Sequence, residues 1–172
     1  MGASASDPRM VWVADLDGGN RICLGYGSSP VINGDRVVWQ DGNSDYLTWR
    51  VGDTEPTRVT SNYAGQYNWH LKFDGDRLVW ATNTGLDWKI WTWAEGDTAP
   101  SIISDDPASD EDMPAVSGDR VAWGSYTSDG PWVQFLTKRI GDESPQVITP
   151  VGFASHEGPL VSGAFGRGGG PR

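Results

Sequence analysis

At 172 residues the chain is long enough for one domain with a real core, and its formal charge of −10 excludes a basic surface that could neutralise phosphates. A single cysteine, Cys23, excludes an internal disulfide and any thiolate metal cluster. With 23 Gly, 11 Pro and 10 Trp, apolar area is concentrated in a few large side chains between many turns, which argues against a helical protein.

Residues 1–9, "MGASASDPR", form an N-terminal tail with neither the charged nor the apolar region of a secretory signal. No apolar run in the chain approaches membrane-spanning length. The next stretch, "VWVADLDGGNRICL" (11–24), reads as two short strands around a polar turn. Its "DLDGGN" resembles the start of a calcium loop but lacks the later bidentate Glu, so it reads as a hairpin turn.

From residue 25 the chain repeats itself in units of about 25–60, 61–104 and 105–149. "NGDRVVW" (33–39), "DGDRLVW" (74–80) and "SGDRVAW" (117–123) give the first anchor of each unit, while "GDTEPTRVT" (52–60), "GDTAPSIIS" (96–104) and "GDESPQVIT" (141–149) give the second. Asn33-Gly34, Asp74-Gly75 and Ser117-Gly118 are tight-hairpin dipeptides, where glycine supplies positive φ. The short segments "SPVI", "HLKF" and "MPAV" precede them, and "RVVWQ", "RLVWA" and "RVAWG" follow. Third strands fall on "YLTWRV", "KIWTWA" and "QFLTKRI", and fourth strands on "TRVT", "SIIS" and "QVIT".

Each unit is thus an antiparallel meander whose second strand, as in Val37-Val38-Trp39 and Leu78-Val79-Trp80, is apolar on both faces. Such sheets must be covered on both sides by their neighbours. The expected fold is all-β: a small β-propeller of about four blades spanning 10–163. Segment 10–24 aligns with third and fourth strands and 154–163, "ASHEGPLVSG", with an innermost one, so the two ends would share a blade. Residues 164–172 are a Gly-rich tail and offer a poor second strand. The shared blade is therefore either three-stranded or completed by strand sharing between chains, which leaves a monomer and an oligomer both open.

The composite pattern P-x-[VI]-x-G-D-R-V-V-W followed by G-D-x-x-P-x-x-I-T resembles the propeller repeats of the Tol-associated periplasmic family. It is closer still to the surface-protein propeller repeats of archaea and bacteria. The resemblance covers about 10–163 and implies the propeller fold and a periplasmic or extracellular location. On activity it is nearly silent, since such blades serve as binding platforms, scaffolds and occasional enzyme domains. This chain departs from the pattern in its small number of blades and in placing Gly-Asp where Asp-x-x-Thr-Gly is usual.

In a propeller the connections before first strands and between second and third strands share one face. Here they lie at 25–29, 61–70, 105–113 and 150–158, and they are acidic and aromatic. Trp39, Trp80 and Trp123, together with Trp12 and Trp91, read as core packing, whereas Trp69, Trp88 and Trp132 fall at loop edges. There an indole face beside Asp or Asn is suited to a sugar ring, through stacking and hydrogen bonds to hydroxyls. Tyr67, Trp69, His70, Trp88, Asp112, Trp132 and His156 are the candidate ligand-binding residues. Their competing reading is partial burial between blades. In "SDDPASDEDMP" (104–114), Asp105, Asp106, Asp110 and Asp112 could hold Ca²⁺ through carboxylate oxygens, or could form an ordinary acidic loop.

No nucleophile elbow, phosphate loop or Ser-His-Asp arrangement is present, so no catalytic residue and no required cofactor are assigned. The expected function is a non-enzymatic module that binds a protein or glycan at the acidic, aromatic face, with no nucleic-acid partner. The alternatives are a carbohydrate-active or metal-dependent hydrolase or lyase using His70, His156 and the acids around them, and a scaffold fragment that acts by oligomerising.

Overall fold

The structure, a computed structural model, describes residues 9–61, 66–104, 106, 109–127 and 133–149. Among these there is no helix, and none therefore that could cross a membrane. The chain opens with a hairpin of β1 (Met10–Val13) and β2 (Ile22–Tyr26). Three four-stranded antiparallel sheets follow. The first holds β3 (Ser28–Asn33), β4 (Arg36–Gln40), β5 (Tyr46–Arg50) and β6 (Thr57–Arg58). The second holds β7 (Tyr67–Asp74), β8 (Arg77–Asn83), β9 (Trp88–Ala94) and β10 (Ser101–Ile102). The third holds β11 (Ser109–Ser117), β12 (Arg120–Thr127), β13 (Val133–Arg139) and β14 (Gln146–Val147). In each sheet the strand order follows the chain, the meander expected of a propeller blade. Segment 154–163, the expected partner of β1–β2 in a shared blade, lies outside the described residues.

The two glycine anchors are turns of different kinds. Register pairs Asn33 with Arg36 and Ser117 with Arg120, so the central residues are Gly34-Asp35 and Gly118-Asp119 rather than Asn33-Gly34 and Ser117-Gly118. Gly34, Gly75 and Gly118 have φ of +59°, +55° and +57°, and their following aspartates do not have positive φ, the pattern of a type II′ hairpin. The second anchors close differently: Asp53, Asp97 and Asp142 donate their amides to the carbonyls of Arg50, Ala94 and Arg139 at 2.9, 2.9 and 3.1 Å. Each aspartate carboxylate also accepts the amide of that same residue, at 2.8, 2.8 and 3.3 Å. Their preceding glycines sit near φ +100°, as the third residue of a type II turn requires.

The first strands carry a bulge that no glycine signals. Ser29, His70 and Met113 occupy the same place before the Gly-Asp-Arg anchors and have φ of +54°, +50° and +53°. The β3–β4 and β11–β12 registers shift at these points. The extra residue redirects the strand and lets it continue beyond the kink. For this reason 67–70 and 109–113, expected as connections, belong to β7 and β11.

The chain divides into two compact units, Met1–Tyr67 and Asn68–Arg172. In the first, Val11, Leu24, Val37, Trp39 and Trp49 form the core. In the second, Val79, Ala81, Ile90, Ile103, Val121, Trp123 and Leu136 do so. Trp39, Trp80 and Trp123 are fully buried as expected. Trp12 is not: 53% of its surface is exposed, with the Arg21 guanidinium 5.6 Å above its ring, while its neighbour Val11 takes the core position.

A polar ladder runs through the same sheets. Arg36, Arg77 and Arg120 donate from Nη1 to the hydroxyls of Thr48, Thr92 and Thr137 at 3.0, 3.2 and 3.5 Å. Those hydroxyls donate in turn to the carbonyls of Val37, Leu78 and Val121. The arginine of the Gly-Asp-Arg anchor therefore ties the second strand to the third inside the sheet.

Candidate functional site

The bulge places His70 and Asp112 opposite one another on the first strands of adjacent sheets in the second unit. Nδ1 of His70 lies 2.7 Å from Oδ1 of Asp112. The imidazole stands edge-on to Trp69, with centroids 5.8 Å apart and planes at 82°. Trp69 keeps 57% of its surface exposed, which is unusual for so large an apolar side chain and leaves an indole available for stacking. Beside them the Tyr126 hydroxyl donates to Sδ of Met113 at 3.6 Å. Burial raises the Tyr126 pKa, and the Asp112 carboxylate raises it further, so the phenol stays protonated. The result is an exposed aromatic and anionic patch whose imidazole is oriented by a carboxylate.

A second cluster lies in the same unit. Lys89 is buried and donates from Nζ to the carbonyl of Asp106 and, at 3.0 Å, to that of Ser109. Asp87 Oδ2 stands 3.2 Å from Nζ and Glu111 Oε2 stands 3.9 Å away. Asp87 is held below the ordinary carboxylate range first by the Thr84 hydroxyl at 2.7 Å and then by Lys89, with partial burial opposing them. Glu111, only 1% exposed, is pushed the other way: burial raises its pKa, while Ser104, Lys89 and the Trp123 indole only partly offset it. Glu111 and Trp123 face each other without reaching hydrogen-bond geometry. This partnership was invisible in the chain because its members come from different repeats.

Of the expected ligand-binding residues, the structure brings Trp69, His70 and Asp112 together. Tyr67, at the start of β7, is exposed. Trp88 opens β9 directly after the 84–87 loop and is half-buried, packed against the core of the second unit. Its amide binds Asp110 Oδ1 at 3.0 Å. Trp132 and His156 lie outside the described residues. Of the expected calcium ligands, Asp110 and Asp112 turn to Trp88 and His70, Asp106 offers its carbonyl to Lys89, and Asp105 is outside the described residues. Among the described residues no group of three His, Cys, Asp or Glu side chains gathers as a metal site. In "DLDGGN" Asp17 accepts the Gly19 amide and Asp15 accepts from the Asn20 side chain, which closes the expected turn.

No family model matches the chain, and no curated protein sequence matches it. Solved structures do. A TolB from Agrobacterium tumefaciens is 15% identical with a TM-score of 0.55, over 80% of this chain and 55% of that one. A structure of the nidogen/laminin complex is 13% identical at a TM-score of 0.53, over 83% of this chain and 57% of that one. One of two prolyl endopeptidases is 12% identical at a TM-score of 0.61, over 83% of this chain but 24% of the other. The chain thus spans little more than half the length of the TolB and nidogen/laminin chains. Identities this low carry the fold and nothing finer. The chain is an all-β protein of the β-propeller class, with four-stranded antiparallel meanders as blades.

Proposed function

We propose that this chain is a propeller-type interaction module that meets a protein or glycan ligand with the Trp69–His70–Asp112 patch. The observation that carries this reading is Trp69, 57% exposed and set beside an imidazole fixed by Asp112. A large exposed apolar ring next to paired polar groups offers both contact area and orientation, the combination found at binding hot spots. Neighbouring folds fit an interaction role, since one belongs to a complex named for two proteins, nidogen and laminin. The resemblance to Tol-associated and surface-protein repeats is the ground for proposing a periplasmic or extracellular location.

The test is a glycan array and a displayed-peptide library screened with the full chain and with Trp69→Ala. Wild-type signals that fall about tenfold in the variant support the reading, as expected for loss of one hot-spot ring. Trp12→Ala, which removes another exposed indole, serves as the control. Equal binding by wild type and Trp69→Ala would sink the assignment of this patch.

A hydrolytic role is the second reading, favoured by the 2.7 Å His70–Asp112 contact, which resembles a base and the group that orients it. Turnover of chromogenic glycosides or esters that is abolished by both His70→Ala and Asp112→Asn would replace the binding reading with this one.

A further inference from the structure

The repeats differ most where the architecture makes the least demand. Ser28-Ser29, Trp69-His70 and Asp112-Met113 stand at the same spacing before the Gly34, Gly75 and Gly118 anchors. Ser29 holds the same left-handed bulge as His70, with φ of +54° against +50°, so the backbone here asks for neither an indole nor an imidazole. By contrast, Trp39, Trp80 and Trp123 recur in every repeat and are buried. Trp69 is thus an exposed indole that neither the turn nor the core requires. Large rings left outside in this way are the usual anchors of a surface that meets a partner.

The surroundings select the sign of the partner's charge. His70 touches both Trp69 and Asp112, so a single imidazole separates the indole from a carboxylate. That contact uses Oδ1 of Asp112, whose side chain stays 28% exposed. Asp110, two residues back along β11, is exposed as well, with Oδ1 on the Trp88 amide. Lys72, two residues past the bulge, is the only Lys or Arg of β7. The buried Lys89 is turned to the carbonyls of Asp106 and Ser109. With a chain charge of −10, an anionic partner is repelled and a cationic one drawn in. The first unit shows how an exposed indole of this chain takes a cation: the Arg21 guanidinium lies 5.6 Å from the centre of the Trp12 ring. Among the described residues no such cation stands over Trp69.

We propose that the patch docks an arginine side chain from a basic segment of a protein partner, its guanidinium stacked on the Trp69 indole and its N–H groups directed at Asp112. A guanidinium suits this pair better than an ammonium. It is planar and weakly hydrated, so it stacks on a ring face while donating in its own plane to a carboxylate. A neutral sugar would use the ring face but gain nothing from the negative charge around it. The inference rests on the reading of the patch as a binding surface and names the chemistry of its partner.

Fluorescein-labelled peptides of one design, with glycine-serine spacers around positions filled by arginine, lysine, citrulline or glutamate, are titrated against the full chain by fluorescence anisotropy. Citrulline keeps the shape of arginine without its charge. The arginine peptide should bind saturably, the lysine peptide more weakly, and the citrulline and glutamate peptides at least about tenfold more weakly. Trp69→Ser carries the residue that the first repeat has at this place, so the fold is kept, and Asp112→Asn keeps an acceptor for His70. Each should weaken the arginine peptide about tenfold, while Trp12→Ala leaves it unchanged. Arginine and citrulline peptides that bind alike, a lysine peptide as tight as the arginine one, or arginine binding untouched by Trp69→Ser overturns the proposal. Glycan-array signals lost in Trp69→Ala, with no binding of the arginine peptide, also overturn it but leave the patch as a binding surface. Patch variants that change no binding of any kind remove both readings.

Discussion

Arg36 donates from Nη1 to the Thr48 hydroxyl at 3.0 Å, and the same pairing recurs as Arg77–Thr92 and Arg120–Thr137. Arg36 is 2% exposed, so its guanidinium depends on fixed partners rather than water. Thr48→Val keeps shape but removes both the acceptor for Arg36 and the donor to the Val37 carbonyl. The expected loss is about 1–2 kcal/mol of unfolding free energy, read from urea denaturation. Thr48→Ser keeps the hydroxyl and should lose far less; an equal loss would mean the methyl, not the ladder, matters. Thr137→Val should cost less than Thr48→Val, because its arginine contact is the longest of the set at 3.5 Å.

At Gly75 a Cβ would meet nothing within 4 Å, so any penalty there is purely conformational. With φ at +55°, Gly75→Ala should cost about 1–2 kcal/mol. Gly75→Asn should cost less, since Asn tolerates the left-handed region. Gly96, at φ +94°, lies further from that region, so Gly96→Ala should be the more damaging of the two alanine substitutions. Thermal melts of the three variants order these costs.

Much of the fold was legible because its signals are local. A hairpin glycine, a run apolar on both faces and a second Gly-Asp turn are each written in a few adjacent residues, and they recur in register. What was missed is non-local or lacks a dedicated residue type. The bulge at Ser29, His70 and Met113 uses three different side chains, none of them glycine, so in the sequence 67–70 and 109–113 read as loops. The Arg–Thr ladder spans loops of unequal length, which hides its period. Trp12 was expected in the core by alignment with Trp91, yet Val11 takes the buried face and leaves the indole outside. At the candidate site the chain marked Trp69, His70 and Asp112 one by one, but only the fold joins the last two. Glu111 stood out only as one acid of the 104–114 stretch and Lys89 carried no mark, because their pairing exists only between sheets.

His70 pairs with Asp112 while holding φ at +50°, a conformation that costs a non-glycine residue about 1–2 kcal/mol. Two substitutions separate the strain from the contact. Both His70→Ala and His70→Gly remove the contact with Asp112, but only glycine also relieves the backbone. His70→Gly should therefore be more stable than His70→Ala by roughly 0.5–1 kcal/mol in chemical denaturation. If the two are equally stable, the left-handed bulge is not strained at this position. Ligand binding by the patch should be lost in both, which distinguishes a site residue from a turn residue.

Glu111 makes stability depend on pH in a direction opposite to a salt-bridged surface acid. Its folded pKa is raised above the ordinary 4.5, chiefly by burial. Below that value both folded and unfolded chains carry the proton, and the group contributes no pH dependence. Above it the unfolded chain ionises first while the folded chain keeps its proton, so the folded state binds more protons and stability falls as pH rises. The fall ends once the folded carboxyl has also ionised. Glu111→Gln removes this titration, so its stability relative to wild type should improve from about pH 4.5 upward and then level off. Lys89→Met should act in the other direction. It strips away the cation 3.9 Å from Oε2, holds Glu111 protonated to still higher pH, and steepens the loss. Urea denaturation of the three proteins at intervals from acid to neutral pH measures both slopes; a Glu111→Gln difference that does not change with pH would show that this carboxyl ionises alike in the folded and unfolded chains.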